Sequence, residues 1–179
     1  MEKRSPRVRR IALIGLPGTG KTSVGRELAK RLDLDFTDLD QVVSSSAGLS
    51  IPQLFERFGE AGFRRLETRS LDHVTSEGPV VLSTGGGCVL RWRNRRMLGR
   101  RCLVIWLDLS PEAAASRLEA EELSAAGGRP LLTGPSIFDR LVELDRRRRP
   151  LYRACADRTL AVTGRSIEEI AEEIHAALD

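Results

Sequence analysis

Gly15-Leu16-Pro17-Gly18-Thr19-Gly20-Lys21-Thr22 carries the spacing GxxxxGK[ST]. Glycines there let the backbone turn tightly enough for successive N–H groups to point at one anion. An apolar run, residues 11–14, ends just before the loop, and an amphipathic stretch begins at about Lys21. The loop therefore feeds a helix N-terminus, whose partial positive charge favours phosphate. A strand, such a loop and a helix in that order make a cradle for a nucleoside triphosphate. Gly15, Pro17, Gly18, Thr19 and Gly20 form its walls, with Ser23 beside them on the helix. The ammonium of Lys21 reaches the β- and γ-phosphates, and the Thr22 hydroxyl ligates Mg²⁺ directly.

A triphosphate site does not by itself name a reaction. A guanine-reading switch protein would carry NKxD, which is absent, and 179 residues leave no room for an appended motor. Small-molecule kinases are what mainly remain, so the next question is which groups could hold an acceptor. Asp38-Leu39-Asp40 follows a short strand at about 35–37. In a parallel sheet the C-terminal strand ends border the ligand crevice. In extended geometry Asp38 and Asp40 point to the same side. One carboxylate then orders the Mg²⁺ shell through water, and the other accepts a substrate hydroxyl hydrogen and draws off the proton. A plainer use of both is turn capping.

Arg64 and Glu67 stand at i, i+3 in a helical stretch, so the carboxylate can hold the guanidinium in one orientation; a surface ion pair is the bland alternative. Thr84-Gly85-Gly86-Gly87 follows an apolar strand, and three successive glycines point to close backbone approach to a ligand. In Arg146-Arg147-Arg148-Arg149-Pro150-Leu151-Tyr152, four adjacent arginines fan around a helix, so only one or two can face any given pocket. Arg129-Pro130-Leu131-Leu132 lies near the end of a polar, glycine-rich stretch, 119–134. That stretch reads either as a surface loop or as a mobile lid, and a lid would bring the Arg129 cation to the transferring phosphoryl group.

The elements that must position these groups alternate short apolar runs with longer amphipathic segments, which predicts a parallel sheet flanked by helices. Strands are expected at 10–14, 80–83, 102–107 and 159–162, with a weaker one at 35–37. Helices are expected at 21–32, from an N-cap at Ser50, over 61–77, from Ser110-Pro111, and from the capping box of Ser166 and Glu169. Hydrophobic residues at 41% and charged residues at 30% fit one globular domain over 1–179, with 1–7 as a frayed arm.

No apolar run reaches the roughly 18 residues of a membrane span, and the run after the basic N-terminus is too short for a secretory signal, so the cytoplasm is the expected location. Cys88, Cys102 and Cys155 form no CxxC and read as buried thiols; His73 and His175 lack ligand spacing and read as structural or exposed. A net charge of +4 permits an anionic partner. With aromatics at only 4%, however, the basic clusters lack the rings of a nucleic-acid platform, so no nucleic acid is expected as partner.

Taken together, GLPGTGKT, DLD, FRRLE, TGGG, RPLL and RRPLY occur in order from about Ile11 to Tyr152, and the set resembles the shikimate kinase family. The resemblance implies an α/β P-loop fold, a three-layer sandwich with a five-stranded parallel sheet, helices on both faces and a mobile lid at about 119–134. It implies that Asp40, Arg64, Gly86 and Arg148 hold shikimate, within a turn that includes Gly85 and Gly87. Two arginines would clamp the carboxylate, and Asp40 would lie near the hydroxyl that is phosphorylated. Glu67 would orient Arg64, and Asp38 would stand behind Mg²⁺. Lys21 and Arg129 would balance phosphate charge, and Arg117 and Arg165 would flank the adenine. The implied activity is transfer from ATP to the shikimate 3-hydroxyl in the chorismate branch of aromatic amino acid synthesis. ATP and shikimate are then the partners of a monomeric chain. A small kinase for another hydroxy acid, such as gluconate, is the enzymatic alternative.

Overall fold

The computed structural model describes residues 9–125 and 136–178. Its five strands are β1 (Arg10–Ile14), β2 (Asp35–Asp38), β3 (Val80–Ser83), β4 (Leu103–Asp108) and β5 (Arg158–Ala161). They form one parallel sheet in the order β2-β3-β1-β4-β5. The three continuous apolar runs take the interior places, as strands covered on both faces require. The more polar β2 and β5 take the edges and are partly exposed.

Side chains of β1 alternate between two cores. Ile11 and Leu13 pack with Val24 and Leu28 of helix α1 (Lys21–Leu32) and, farther along the chain, with Ala114, Ile170 and Ile174. Ala12 and Ile14 pack with Leu71, Val74, Leu98 and Tyr152 on the opposite face. This is a three-layer sandwich with helices on both faces. Because every strand is parallel, the segments that follow β1, β2, β3, β4 and β5 all leave from the same edge of the sheet, and the phosphate loop, the Asp38 corner and the glycine turn lie there.

Four local structures differ from the sequence expectation. Extended geometry stops at Asp38, and α2 (Leu39–Ala47) starts at once. Asp38 is its N-cap, its Oδ1 accepting from Asp40 N at 3.0 Å and Gln41 N at 3.4 Å. The shared-side argument for Asp38 and Asp40 is therefore replaced by a strand-to-helix corner. The helix expected from Ser50 and the one expected over 61–77 merge into α3 (Ile51–Glu77), broken at Gly59, where φ is 63°. Ser50 and Gln53 close a capping box at its start.

Beyond β3, a 3₁₀ turn (Cys88–Leu90) and α4 (Trp92–Arg101) were not foreseen, because arginines on most faces of α4 hide its apolar period. The fourth difference is α5 (Pro111–Ala125), which carries the helix seven residues past Leu118, so 119–125 is helical and not lid loop. The rest of that expected lid, with Arg129, lies outside the described residues. Then come α6 (Ile137–Cys155) and α7 (Ile167–Ala176), the latter opened by the expected Ser166–Glu169 box. Cys88 and Cys102 are buried, while Cys155 is only half-buried. His73 is exposed and pairs with Glu77, and His175 is half-buried in the last turn of α7.

Candidate active site

The phosphate loop leaves the central strand. Its Gly15, Gly18 and Gly20 adopt φ of 148°, 77° and 83°, values that side chains with a Cβ rarely tolerate. Gly20 is the N-cap of α1 and brings no side chain, and the first turn holds no acidic residue, so the opening N–H groups keep their affinity for an anion. Pro17 and Gly18 complete the curve, and Thr19 Oγ1 donates to Leu16 O at 2.9 Å. Lys21 folds over the loop, its Nζ donating to Leu16 O at 2.6 Å and to Thr19 Oγ1 at 3.2 Å. Burial pulls its pKa down to about 8, against the attraction of Asp40 and Asp38. Ser23 is exposed on α1.

Thr22 Oγ1 donates to Asp38 Oδ2 at 2.9 Å and lies 3.3 Å from Ser83 Oγ. Three hard oxygen donors thus cluster where α1, β2 and β3 meet, a set suited to a small divalent cation that also binds phosphate and water. Among the described residues no group of three His, Cys, Asp or Glu forms a closed metal cage.

The glycine turn after β3 is where the acceptor-side residues converge, one at each position. A Cβ on Gly85 would stand 2.6 Å from Asp40 Oδ1; on Gly86, 3.1 Å from Arg148 Nη1; on Gly87, it would overlap the Arg64 guanidinium. None of the three glycines has a positive φ, so space for these side chains, and not backbone conformation, is what demands glycine. Gly86 also lies against the phosphate loop, where a Cβ would meet Pro17 Cδ at 3.1 Å and Gly15 O at 3.3 Å. Thr84 anchors the turn by donating from both N and Oγ1 to Leu13 O of β1.

Electrostatics at this turn are tense. Asp40 Oδ1 and Arg64 Nε are buried, with no hydrogen-bond partner among the described residues. Burial, then Asp38, raises the Asp40 pKa, while Lys21 and Arg64 oppose that rise. Arg64, 12% exposed, donates from Nη1 to Glu67 Oε1 at 3.0 Å; Glu67 is 0% exposed. Burial pushes the Glu67 carboxyl up to about 7 even with Arg64 beside it. The Arg64–Glu67 pair is therefore a buried element and not a surface bridge.

Chemically, a small molecule with one carboxylate and several hydroxyls matches this set: guanidinium groups for the acid, a carboxylate for a hydroxyl, and a triphosphate cradle alongside. Residues 17–179 match the family model described as shikimate kinase. Over 164 residues the chain is 42% identical to the shikimate kinase of Symbiobacterium thermophilum, covering 92% of each sequence. The chain belongs to the shikimate kinase family. A solved shikimate kinase from Acinetobacter baumannii in complex with shikimate matches with a TM-score of 0.84 at 36% identity, over 94% of this chain and 92% of that one. A gluconokinase from Sinorhizobium meliloti, at 20% identity and a TM-score of 0.60 over 98% of this chain and 93% of its own, shares the fold alone.

Of the remaining positions suggested by the shikimate kinase pattern, Arg117 links the phosphate loop to the end of β5, donating to Gly18 O at 3.5 Å and Val162 O at 3.3 Å. Arg165 lies on the same side, but its guanidinium turns toward α7 and pairs with Glu173 at 2.6 Å. Two residues escaped the sequence reading, and a third, Tyr152, stands in the RRPLY motif with no role assigned to it. Ser83 joins the Thr22–Asp38 cluster, and its one signal is a hydroxyl closing an apolar strand. Asn94 is fully buried, donating to Cys88 O at 2.9 Å and Glu67 Oε2 at 3.4 Å; nothing in the arginine-rich α4 marks it out. Tyr152 donates to Gly86 O at 2.6 Å, fastening α6 to the glycine turn.

Proposed function

We propose that this protein transfers the γ-phosphoryl group of ATP to the 3-hydroxyl of shikimate, giving shikimate 3-phosphate and ADP. The observation that carries the reading is the convergence of Asp40, Arg148 and Arg64 on three successive glycines packed against the phosphate loop. In this reading Arg64 and Arg148 grip the shikimate carboxylate, and Glu67 steers Arg64. Asp40 accepts the hydrogen of the reacting hydroxyl through Oδ1, the oxygen that lacks a partner among the described residues. The hydroxyl oxygen bonds to the γ-phosphorus, the bond to the β–γ bridging oxygen breaks, ADP departs, and the proton passes to Asp40. A raised pKa suits Asp40 for taking that proton.

Lys21 and, on the sequence alone, Arg129 compensate charge on the β- and γ-phosphates. Thr22 would hold Mg²⁺ directly and Asp38 through water, and the ion would supply further charge neutralisation at the phosphates. Gly15, Pro17, Gly18, Thr19, Gly20 and Ser23 contact the phosphates, and Arg117 and Arg165 border the adenine side. All of these groups come from one chain, so the reading needs only a monomer, a single kinase domain working in the cytoplasm.

ADP release coupled to a spectrophotometric readout, run across a panel of hydroxy acids, tests the assignment. Shikimate should be the fastest substrate and should require Mg²⁺. Faster turnover of gluconate would overturn the choice of acceptor.

A further inference from the structure

We propose that Arg149 is a positioning residue that holds Arg148 at the substrate turn. The inference rests on the reading of Arg148 as a carboxylate-gripping arginine.

Arg148 lies in a weakened part of its helix. Pro150 sits inside α6 and has no N–H to give to the carbonyl of Arg146, so the turn containing Arg148 lacks one of its helical hydrogen bonds. Two tethers flank this gap. On one side Tyr152 donates to Gly86 O. On the other, Arg149 uses all three kinds of guanidinium nitrogen. Its Nη1 and Nη2 donate to Asp108 Oδ2 at 3.1 Å and Oδ1 at 2.8 Å, and its Nε donates to Asp145 Oδ2 at 2.8 Å. The guanidinium also lies 5.2 Å from the Trp106 ring centroid. Neighbouring Arg146 and Arg147 only pair with Glu143 at the surface.

The anchor itself is rigid and well placed. Asp108 ends β4, and its carbonyl accepts from Val162 N at 3.0 Å. One residue earlier, Leu107 O lies where a Cβ on Gly15 would come within 2.6 Å, so the end of β4 abuts the start of the phosphate loop. Arg149 therefore ties the α6 turn that carries Arg148 to the strand that backs the nucleotide loop, and it sets the register between acceptor and donor. Planar two-sided pairing is a geometry that lysine cannot reproduce.

The test compares wild type with Arg149→Gln, Arg149→Lys and Asp108→Asn, measuring KM for shikimate and for ATP, kcat and thermal midpoint. All three variants should raise the shikimate KM about tenfold while the ATP KM stays within about twofold. Arg149→Lys should resemble Arg149→Gln and not wild type. In an Arg148→Lys background, which weakens the grip directly, Arg149→Gln should add less than about twofold, because it acts through Arg148. If Arg149→Gln does not fold, Asp108→Asn reports the same contact from the other partner. Unchanged shikimate KM in all folded variants, rescue by lysine, or a full additive penalty in the Arg148→Lys background would each overturn the inference. The functional reading is judged separately, by whether the wild type turns over shikimate at all.

Discussion

Asp40 has one buried carboxylate oxygen with no hydrogen-bond partner among the described residues, and burial weakens its hold on negative charge. Asp40→Asn keeps the shape and removes the base. It should lower kcat by on the order of 100-fold or more while shikimate affinity, measured by calorimetry, stays within about fivefold. Loss of affinity with unchanged kcat would make Asp40 a pure positioning group. Arg64→Ala and Arg148→Ala remove charged hydrogen-bond donors worth about 3 kcal/mol, so each should cost on the order of 100-fold in kcat/KM for shikimate, with ATP binding preserved. At this scale much was legible from the chain: a guanidinium three positions from a carboxylate, or three glycines in a row, restricts what the residues can do. Ser83 and Asn94 were not legible, because a lone hydroxyl or amide acquires meaning only from what folds against it.

Among the elements, α3 carries the buried Arg64–Glu67 pair, and its carboxylate makes a pH signature. Glu67 has an ordinary value near 4.5 and is raised to about 7 in the folded chain. Its contribution to stability is therefore complete below about 4.5 and is lost as pH rises through about 7, a span of about 3 kcal/mol. Glu67→Gln removes that titration. Urea unfolding at pH 5 and pH 8 should show the variant gaining stability relative to wild type at the higher pH; parallel changes in both proteins would disprove the shift.

The same scale shows where sequence reading stopped. Asp38-Leu39-Asp40 looked like continuing strand because alternation over three residues cannot be told from the first turn of a helix. The Asp38 cap decides the matter, and it is visible only once Asp40 N and Gln41 N are seen to donate to it. For α4, arginines replaced the polar–apolar contrast on which periodicity depends.

Across the whole molecule, the three continuous apolar runs marked strands covered on both faces, and β3, β1 and β4 do take the interior places; the order β2-β3-β1-β4-β5 itself was not legible, because a local pattern does not say which strand lies beside which. Binding at the junction of the phosphate loop and the glycine turn should stabilise all layers together. ATP with Mg²⁺ at about 100 times its Kd adds about 2.7 kcal/mol, a rise of roughly 5–10 °C in Tm by scanning calorimetry. Chelating the cation with EDTA should remove most of that rise. Central placement of β1 has one more consequence. Arg10 pairs with Val80 and Ile11 with Leu103, so the strand made first waits for both its neighbours. A nascent chain that has emerged from the ribosome only through α3 holds the whole phosphate loop yet has nothing to stretch it into shape, and affinity for ATP should arrive abruptly, late in synthesis, when β4 locks in.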